Sequence, residues 1–182
     1  MTSERWEIDS SHSSIHFSVR HLMIAKVRGQ FGRWTGTLHV PDGDFRRAAL
    51  SVVIDATSID TGVADRDAHL RSADFFDVEK HPELTFTSAE ITPKSGDRFE
   101  LRGLLTIKGV EQPVSLAVEE AGRATDPWGY TRAVFSAKGS ISRKDFGLTW
   151  NQALETGGVM VGDQVEIEID IEAVKQSDTK AA

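Results

Sequence analysis

The 182-residue chain has no cysteine. That absence excludes disulfide scaffolds, thiolate zinc centres, iron–sulfur clusters and cysteine nucleophiles, so any metal would need histidine and carboxylate ligands. Long hydrophobic runs are missing as well, and nothing approaches the ~18 consecutive apolar residues of a membrane-spanning helix. The opening residues, MTSERWEIDSSH, place Glu4, Arg5, Glu7 and Asp9 where a secretory leader would carry its apolar segment. The expectation is a cytoplasmic protein with no integral membrane association. Basic charge is scarce: 21 Lys and Arg against 28 Asp and Glu give a net charge of −7. No positive field exists to hold a phosphate backbone, so nucleic acid is not an expected partner. The five prolines fall at breaks between apolar runs, with Pro41 and Pro93 in turns, Pro82 before a strand, Pro113 at a strand start and Pro127 in the DPWG loop. Proline removes a ladder donor, and its avoidance of strand centres predicts sheet structure.

What the chain has in abundance is alternation of apolar and polar residues with period two, the pattern of strands with one dry face. Near the C-terminus Val165, Ile167, Ile169 and Ile171 alternate with Glu166, Glu168, Asp170 and Glu172. Similar runs centre on residues 15–19, 34–40, 50–54, 101–107, 114–118 and 133–141, with further candidates at 5–9 and 84–91. Helical spacing occurs mainly in Ser58 to Phe76, where Asp65–His69 and Asp67–Arg71 would form i,i+4 pairs on a short exposed helix. One domain of this length needs no staples. The runs 30–40 and 128–141 are long for sandwich strands and favour a closed antiparallel barrel of about eight strands, which can hold one small ligand. The polar tail 175–182 is expected to fray.

No GxSxG elbow, phosphate loop or dinucleotide fingerprint is present, and no catalytic residue is assigned. His12 and His16 would lie about 13 Å apart along a strand, at ~3.3 Å per residue, and His21 has the opposite parity. His39, His69 and His81 are dispersed, so no metal site is expected.

Five ordered blocks carry a specific resemblance: DSSHSSIHFSVRHLMIAKVRGQFGRWTG (Asp9 to Gly36), SIDTGVADRDAHLRSADFFDVEKHPELTF (Ser58 to Phe86), GLLTIKGVEQPVSL (Gly103 to Leu116), SRKDFGLTWN (Ser142 to Asn151) and VGDQVEIEIDIEA (Val161 to Ala173). They resemble the YceI family of polyisoprenoid-binding proteins over residues 5 to 173. The resemblance implies a single extended, lipocalin-like antiparallel β-barrel with a short helical insertion. It also implies binding of a long isoprenoid lipid, such as a polyprenyl pyrophosphate or a quinone tail, with no other cofactor and with a homodimer. Many members are periplasmic and carry a leader that these opening residues lack.

An isoprenoid tail forms no hydrogen bonds and needs a continuous apolar channel. The inward candidates by alternation are Phe17, Val19, Phe31, Trp34, Leu38, Val52, Ile54, Phe86, Leu101, Leu105, Ile107, Phe135, Ile167 and Ile169. Leu70 of the insertion joins them, as do Phe75 and Phe76, one expected to plug the barrel and the other to pack outside. Phe146, Leu148 and Trp150 alternate and are expected on the opposite wall of the entrance. For a polar mouth the candidates are Arg66, Asp67, His69 and Arg71, with Arg20, His21, Arg143, Lys144 and Asp145 as weaker ones, because guanidinium groups bind phosphate bidentately. Each has a plain alternative as a solvated or loop-pinning charge. Two other classes of function remain open: an enzyme on a small apolar substrate, using Asp67, His69 or Asp145, and an interaction protein whose barrel is filled.

Overall fold

The computed structural model describes residues 2–177. Most of the tail expected to fray, 178–182, lies outside the described residues. Eleven strands form one antiparallel sheet: β1 (Ser3–Ile8), β2 (Ser14–His21), β3 (Ala25–Phe31), β4 (Trp34–Pro41), β5 (Ala49–Asp55), β6 (Ile59–Asp60), β7 (Glu83–Pro93), β8 (Arg98–Ile107), β9 (Val110–Thr125), β10 (Thr131–Ser142) and β11 (Val161–Lys175). The ladder runs β1-β4-β5-β7-β8-β9-β10-β11, and β1 returns to β11 with Trp6 opposite Lys175 and Ile8 opposite Ala173. Eight strands therefore close a barrel without edges of its own, and β2, β3 and β6 branch from β11 as a shorter side ladder.

Sequence alternation marks the walls correctly, but two of them are broken strands. β1 and β2 both run along β11, separated by a 3-10 turn at Ser10–His12, while β3 and β4 continue one another along β2 and β1. Asp9 caps the 3-10 turn, accepting from the Ser11 backbone N–H at 3.0 Å and from His12 Nδ1 at 2.8 Å. Arg132 of β10 staples the break: its Nη1 donates to Asp9 Oδ2 at 3.2 Å and to Glu172, and its Nε to Asp126 Oδ2 at 2.8 Å. Asp9, His12 and Glu172 form the one cluster of metal-type ligands among the described residues, and the guanidinium of Arg132 already bridges its two carboxylates.

This staple is pH-sensitive. Hydrogen bonds from Ser11, His12 and Arg132 hold the Asp9 carboxyl far below its ordinary 3.8. Asp9 in turn raises His12 above its ordinary 6.5. A lowered carboxylate stabilises the fold above its unfolded pKa and is lost on acidification. A raised histidine stabilises below its unfolded pKa and is lost as pH rises through the folded one. The staple is therefore strongest between the two ordinary values. Thermal unfolding should show wild type losing more stability from pH 5 to pH 3 than Asp9→Asn, which has no carboxylate to protonate there; equal losses would remove Asp9 from the acid response.

One end of the barrel is sealed. Asp44 caps a second 3-10 turn, Phe45–Arg47, that drives Phe45 inward. Its ring meets Trp6 and Phe135 edge-on, each with centroids 5.0 Å apart, and Arg123 stacks over it at 4.5 Å. At the opposite end the insertion 56–82 fills the gap between β3 and β7. Its only α-helix, α1 (Ala64–Arg71), is shorter than the helical spacing predicted.

The i,i+4 pairs expected on this helix do not form. Asp67 is buried and accepts from the backbone N–H of Thr61 at 2.9 Å and from its hydroxyl. Arg71 donates to the carbonyls of Thr57 and Ile59 at 2.9 and 3.1 Å, and His69 pairs with Asp74 at 2.9 Å. Unsatisfied carbonyls in the irregular chain before the helix outcompete a solvated pair worth only ~0.3–0.5 kcal/mol.

Candidate functional site

The inner faces of the strands do not meet across the barrel. They enclose a cavity of about 230 Å3 that runs from the Phe45 seal toward the insertion. Phe17, Phe31, Trp34, Leu38, Val52, Ile54, Phe86, Leu101, Leu105, Ile107, Phe135, Phe146, Ile167 and Ile169 all line it. Phe17, Ile167 and Ile169 point inward yet remain half-buried, because the surface they expose faces the void. The lining also includes Ile8, Ile15, Leu50, Leu84, Ile91, Phe99, Ala137, Ile141, Val165 and Ile171, with Val114, Leu116 and Val118 of β9. Several of these share the parity of residues predicted from alternation. Phe45 and Ala48 lie outside the alternating runs, where that signal is silent.

A second cavity, of about 180 Å3, sits above the first beneath α1. Val19, Leu70, Phe75 and Trp150 line it. Phe17, Phe76, Arg143, Leu148 and Val165 line both cavities and form the waist between them. Phe76 is held edge-on to Phe31, with centroids 5.9 Å apart. Phe75 is buried against Trp150 at 5.4 Å and the His69 ring at 5.1 Å. The expected division of labour between the adjacent phenylalanines does not hold: neither packs outside. The irregular chain after α1 frees both side chains from strand or helix parity.

The polar candidates separate into two groups. Arg20, His21, Arg66 and His69 line the second cavity. Arg66 spends its Nε and one Nη2 hydrogen on Thr61 Oγ1 and Thr61 O, both at 2.7 Å, and keeps its remaining N–H groups. Asp67 and Arg71 are used within the insertion, as described above. Asp145 lines neither cavity, and its carbonyl accepts from Gln112 at 3.0 Å. These three do not line the mouth: Asp67 and Arg71 of α1 spend their side chains on the chain before the helix, and Asp145 lies in the 3-10 turn Arg143–Phe146, outside both cavities.

Arg143 is the polar residue placed deepest, only 5% exposed. Its Nε donates to Gly162 O at 2.8 Å, Nη1 to Leu148 O and Trp150 O at 2.7 and 2.9 Å, and Nη2 to Val161 O at 3.4 Å. Burial pulls its pKa down, but a guanidinium stays charged. It pins both arms of the loop that carries Trp150 and Met160.

Among the described residues the ionisable groups lining the second cavity are Arg20, Arg66, Arg143, His21 and His69, with no carboxylate. An apolar chamber thus opens into one whose ionisable groups are all basic. That arrangement suits an amphiphile with a long apolar part and an anionic or strongly accepting end.

No helix among the described residues is long and apolar enough to cross a membrane. Comparison with known proteins agrees with the barrel. A UPF0312 protein of Pectobacterium atrosepticum is 37% identical over 172 residues, covering 94% of this chain and 86% of that one. The structure of BcnA from Burkholderia cenocepacia superposes with a TM-score of 0.78 at 22% identity, covering 91% and 98% of the two chains. A polyisoprenoid binding domain from Saccharophagus degradans does so with a TM-score of 0.69 at 16% identity, covering 94% and 98%. Residues 6–173 match the YceI-like domain, so the chain belongs to that family.

Proposed function

We propose that the protein binds a lipid with an isoprenoid tail, the tail in the barrel and an anionic head among Arg20, His21 and Arg66, without transforming it. The observation that carries this reading is the pairing of an apolar chamber with a second chamber whose charged lining is all basic. The name of the Saccharophagus domain, which shares the fold, points to the same class of ligand.

Size sets the length of tail that fits. An apolar cavity of ~150 Å3 holds one benzene ring. On that scale the first chamber holds about nine carbons, or two isoprene units, and the second, where the head sits, has room for about seven heavy atoms. Longer tails require Phe76 and its neighbours at the waist to swing aside. Burying two units at ~0.8 kcal/mol per carbon gives about 8 kcal/mol gross, and charge-assisted hydrogen bonds to the head offset the association costs to leave micromolar affinity.

Titration calorimetry on delipidated protein tests the reading. Farnesyl pyrophosphate should bind in the micromolar range, and farnesol about 10- to 100-fold more weakly, because it forgoes the charge-assisted hydrogen bonds. Replacing Arg20 and Arg66 together by Gln should erase the difference between the two ligands. Failure of either ligand to bind, in protein that melts as a folded barrel, would overturn the proposal.

A further inference from the structure

The hairpin of β2 and β3 ends in a three-residue loop that breaks two rules at once. Leu22, Met23 and Ile24 are 41%, 60% and 82% exposed, three large apolar side chains in a row on the surface. Leu22 and Met23 also hold left-handed φ angles of +52° and +62°, a region that glycine or asparagine normally occupies. A turn selected only to close a hairpin would carry those residues. Departures from local preference of this kind collect at functional sites.

The flanks of the loop are unusual in charge. In a chain of net charge −7, residues 14–31 contain Arg20, Lys26 and Arg28 and no Asp or Glu. None of the three has an ion-pair partner among the described residues, and all three are exposed. On one side the hairpin is held by β11, which pairs with β2 as far as His21; on the other, β3 pairs with β6 only at Gln30 and Phe31 and leaves its outer edge open toward the tip. The tip is braced from one side: Leu22 N–H donates to Met160 O at 2.8 Å, and the Met23 sulfur packs against Gly158. Glu155 is the single acid of that bracing loop, 151–160.

An exposed apolar wedge with a collar of unpaired cations matches the surface of an anionic bilayer, where apolar side chains enter the acyl boundary while lysine and arginine meet the headgroups. We propose that the Leu22–Ile24 tip docks this protein on anionic lipid membranes. His21 and Met160, the neighbours of the tip, line the second cavity. Docking would therefore hold the mouth of the barrel against the bilayer, where a prenyl tail can pass between membrane and cavity without crossing water. The docking stands on the hairpin alone; its use for lipid exchange rests on the isoprenoid reading above.

Co-sedimentation with vesicles of phosphatidylglycerol and phosphatidylcholine in equal parts tests the proposal. Wild type should pellet with these vesicles, bind pure phosphatidylcholine far less, and dissociate as salt is raised. The triple variant Leu22→Asn, Met23→Gly, Ile24→Ser places turn-favouring residues in the left-handed positions. It should keep or raise the melting temperature while losing at least about 30-fold in partitioning. Lys26→Gln with Arg28→Gln should lose about 30-fold on anionic vesicles only. Both variants should bind farnesyl pyrophosphate in solution as wild type does. Wild type that ignores anionic vesicles, or a tip variant that binds them undiminished, would overturn the docking. So would self-association in light scattering that disappears in the tip variant without any vesicle binding, because the tip would then face a second copy of the chain. Vesicle binding by a protein that takes up no prenyl compound would support the docking and sink only the isoprenoid reading.

Discussion

Ala137→Phe is expected to weaken prenyl-lipid binding at least about 100-fold while leaving the barrel as stable as wild type. Ala137 lies mid-strand in β10, opposite Ile169 of β11 and Val118 of β9, and its methyl group faces the first cavity. Strand alternation fixes the direction of the new side chain, which must project into the void. A phenyl ring there occupies the space of about six tail carbons, and each excluded carbon forfeits ~0.8 kcal/mol of transfer energy. Filling an existing void avoids the strain of overpacking a dense core, and it avoids the unpaired buried charge that Phe17→Asp would introduce. Melting temperature and farnesyl pyrophosphate affinity, measured on the same preparation, separate the two effects. A stable variant with wild-type affinity would mean that the tail does not occupy this chamber. A variant that melts far lower would show instead that the first cavity closes around Ala137, and Val52→Leu on the opposite wall would then take its place in the test.

The closed barrel and most of the apolar wall were legible because one physical rule governs them. Val165, Ile167, Ile169 and Ile171 line the cavity in register with Phe17 and Ile15 of β2, and period two alone predicts which of their neighbours face out. The rule fails wherever the backbone leaves the pleat. Phe45 seals the barrel from a 3-10 turn whose only sequence trace is the capping Asp44. Phe75 and Phe76 both turn inward from irregular chain, which no periodicity could foretell. Asp67 and Arg71 looked like a helical ion pair and instead satisfy chain that lies adjacent only after folding. Arg20, His21 and Arg66 could be named as charges near the mouth. That they share a chamber with no carboxylate depends on the ladder between β2, β3 and β11 and on the docking of α1, neither of which one sequence specifies.

Arg143→Met should destabilise the protein by about 4 kcal/mol and lower its melting temperature by about 12 °C, the largest stability effect expected of any mouth residue. Methionine matches the stem of arginine in volume, so the loss comes from hydrogen bonding and not from a cavity. The guanidinium satisfies the carbonyls of Leu148 and Trp150 on one arm of the 147–160 loop and of Val161 and Gly162, at the start of β11, beyond its other end. Asn151 partly compensates, donating to Val161 O at 2.7 Å and accepting from Val161 N–H at 3.0 Å. The other carbonyls have no second donor from a side chain at this site, and buried acceptors left unpaired cost ~1–3 kcal/mol each, less whatever the loop recovers by opening to water. Opening has a functional cost as well, since the same loop carries Trp150 and Met160 into the second cavity, and prenyl pyrophosphate affinity should fall with stability. Arg143→Lys discriminates between charge and geometry. An ammonium offers three donors from a single point and cannot span both arms, so this variant should recover less than half of the lost stability. Full recovery by lysine would show that the site needs only a positive charge, and an unchanged melting temperature for Arg143→Met would show that the loop does not depend on the clamp.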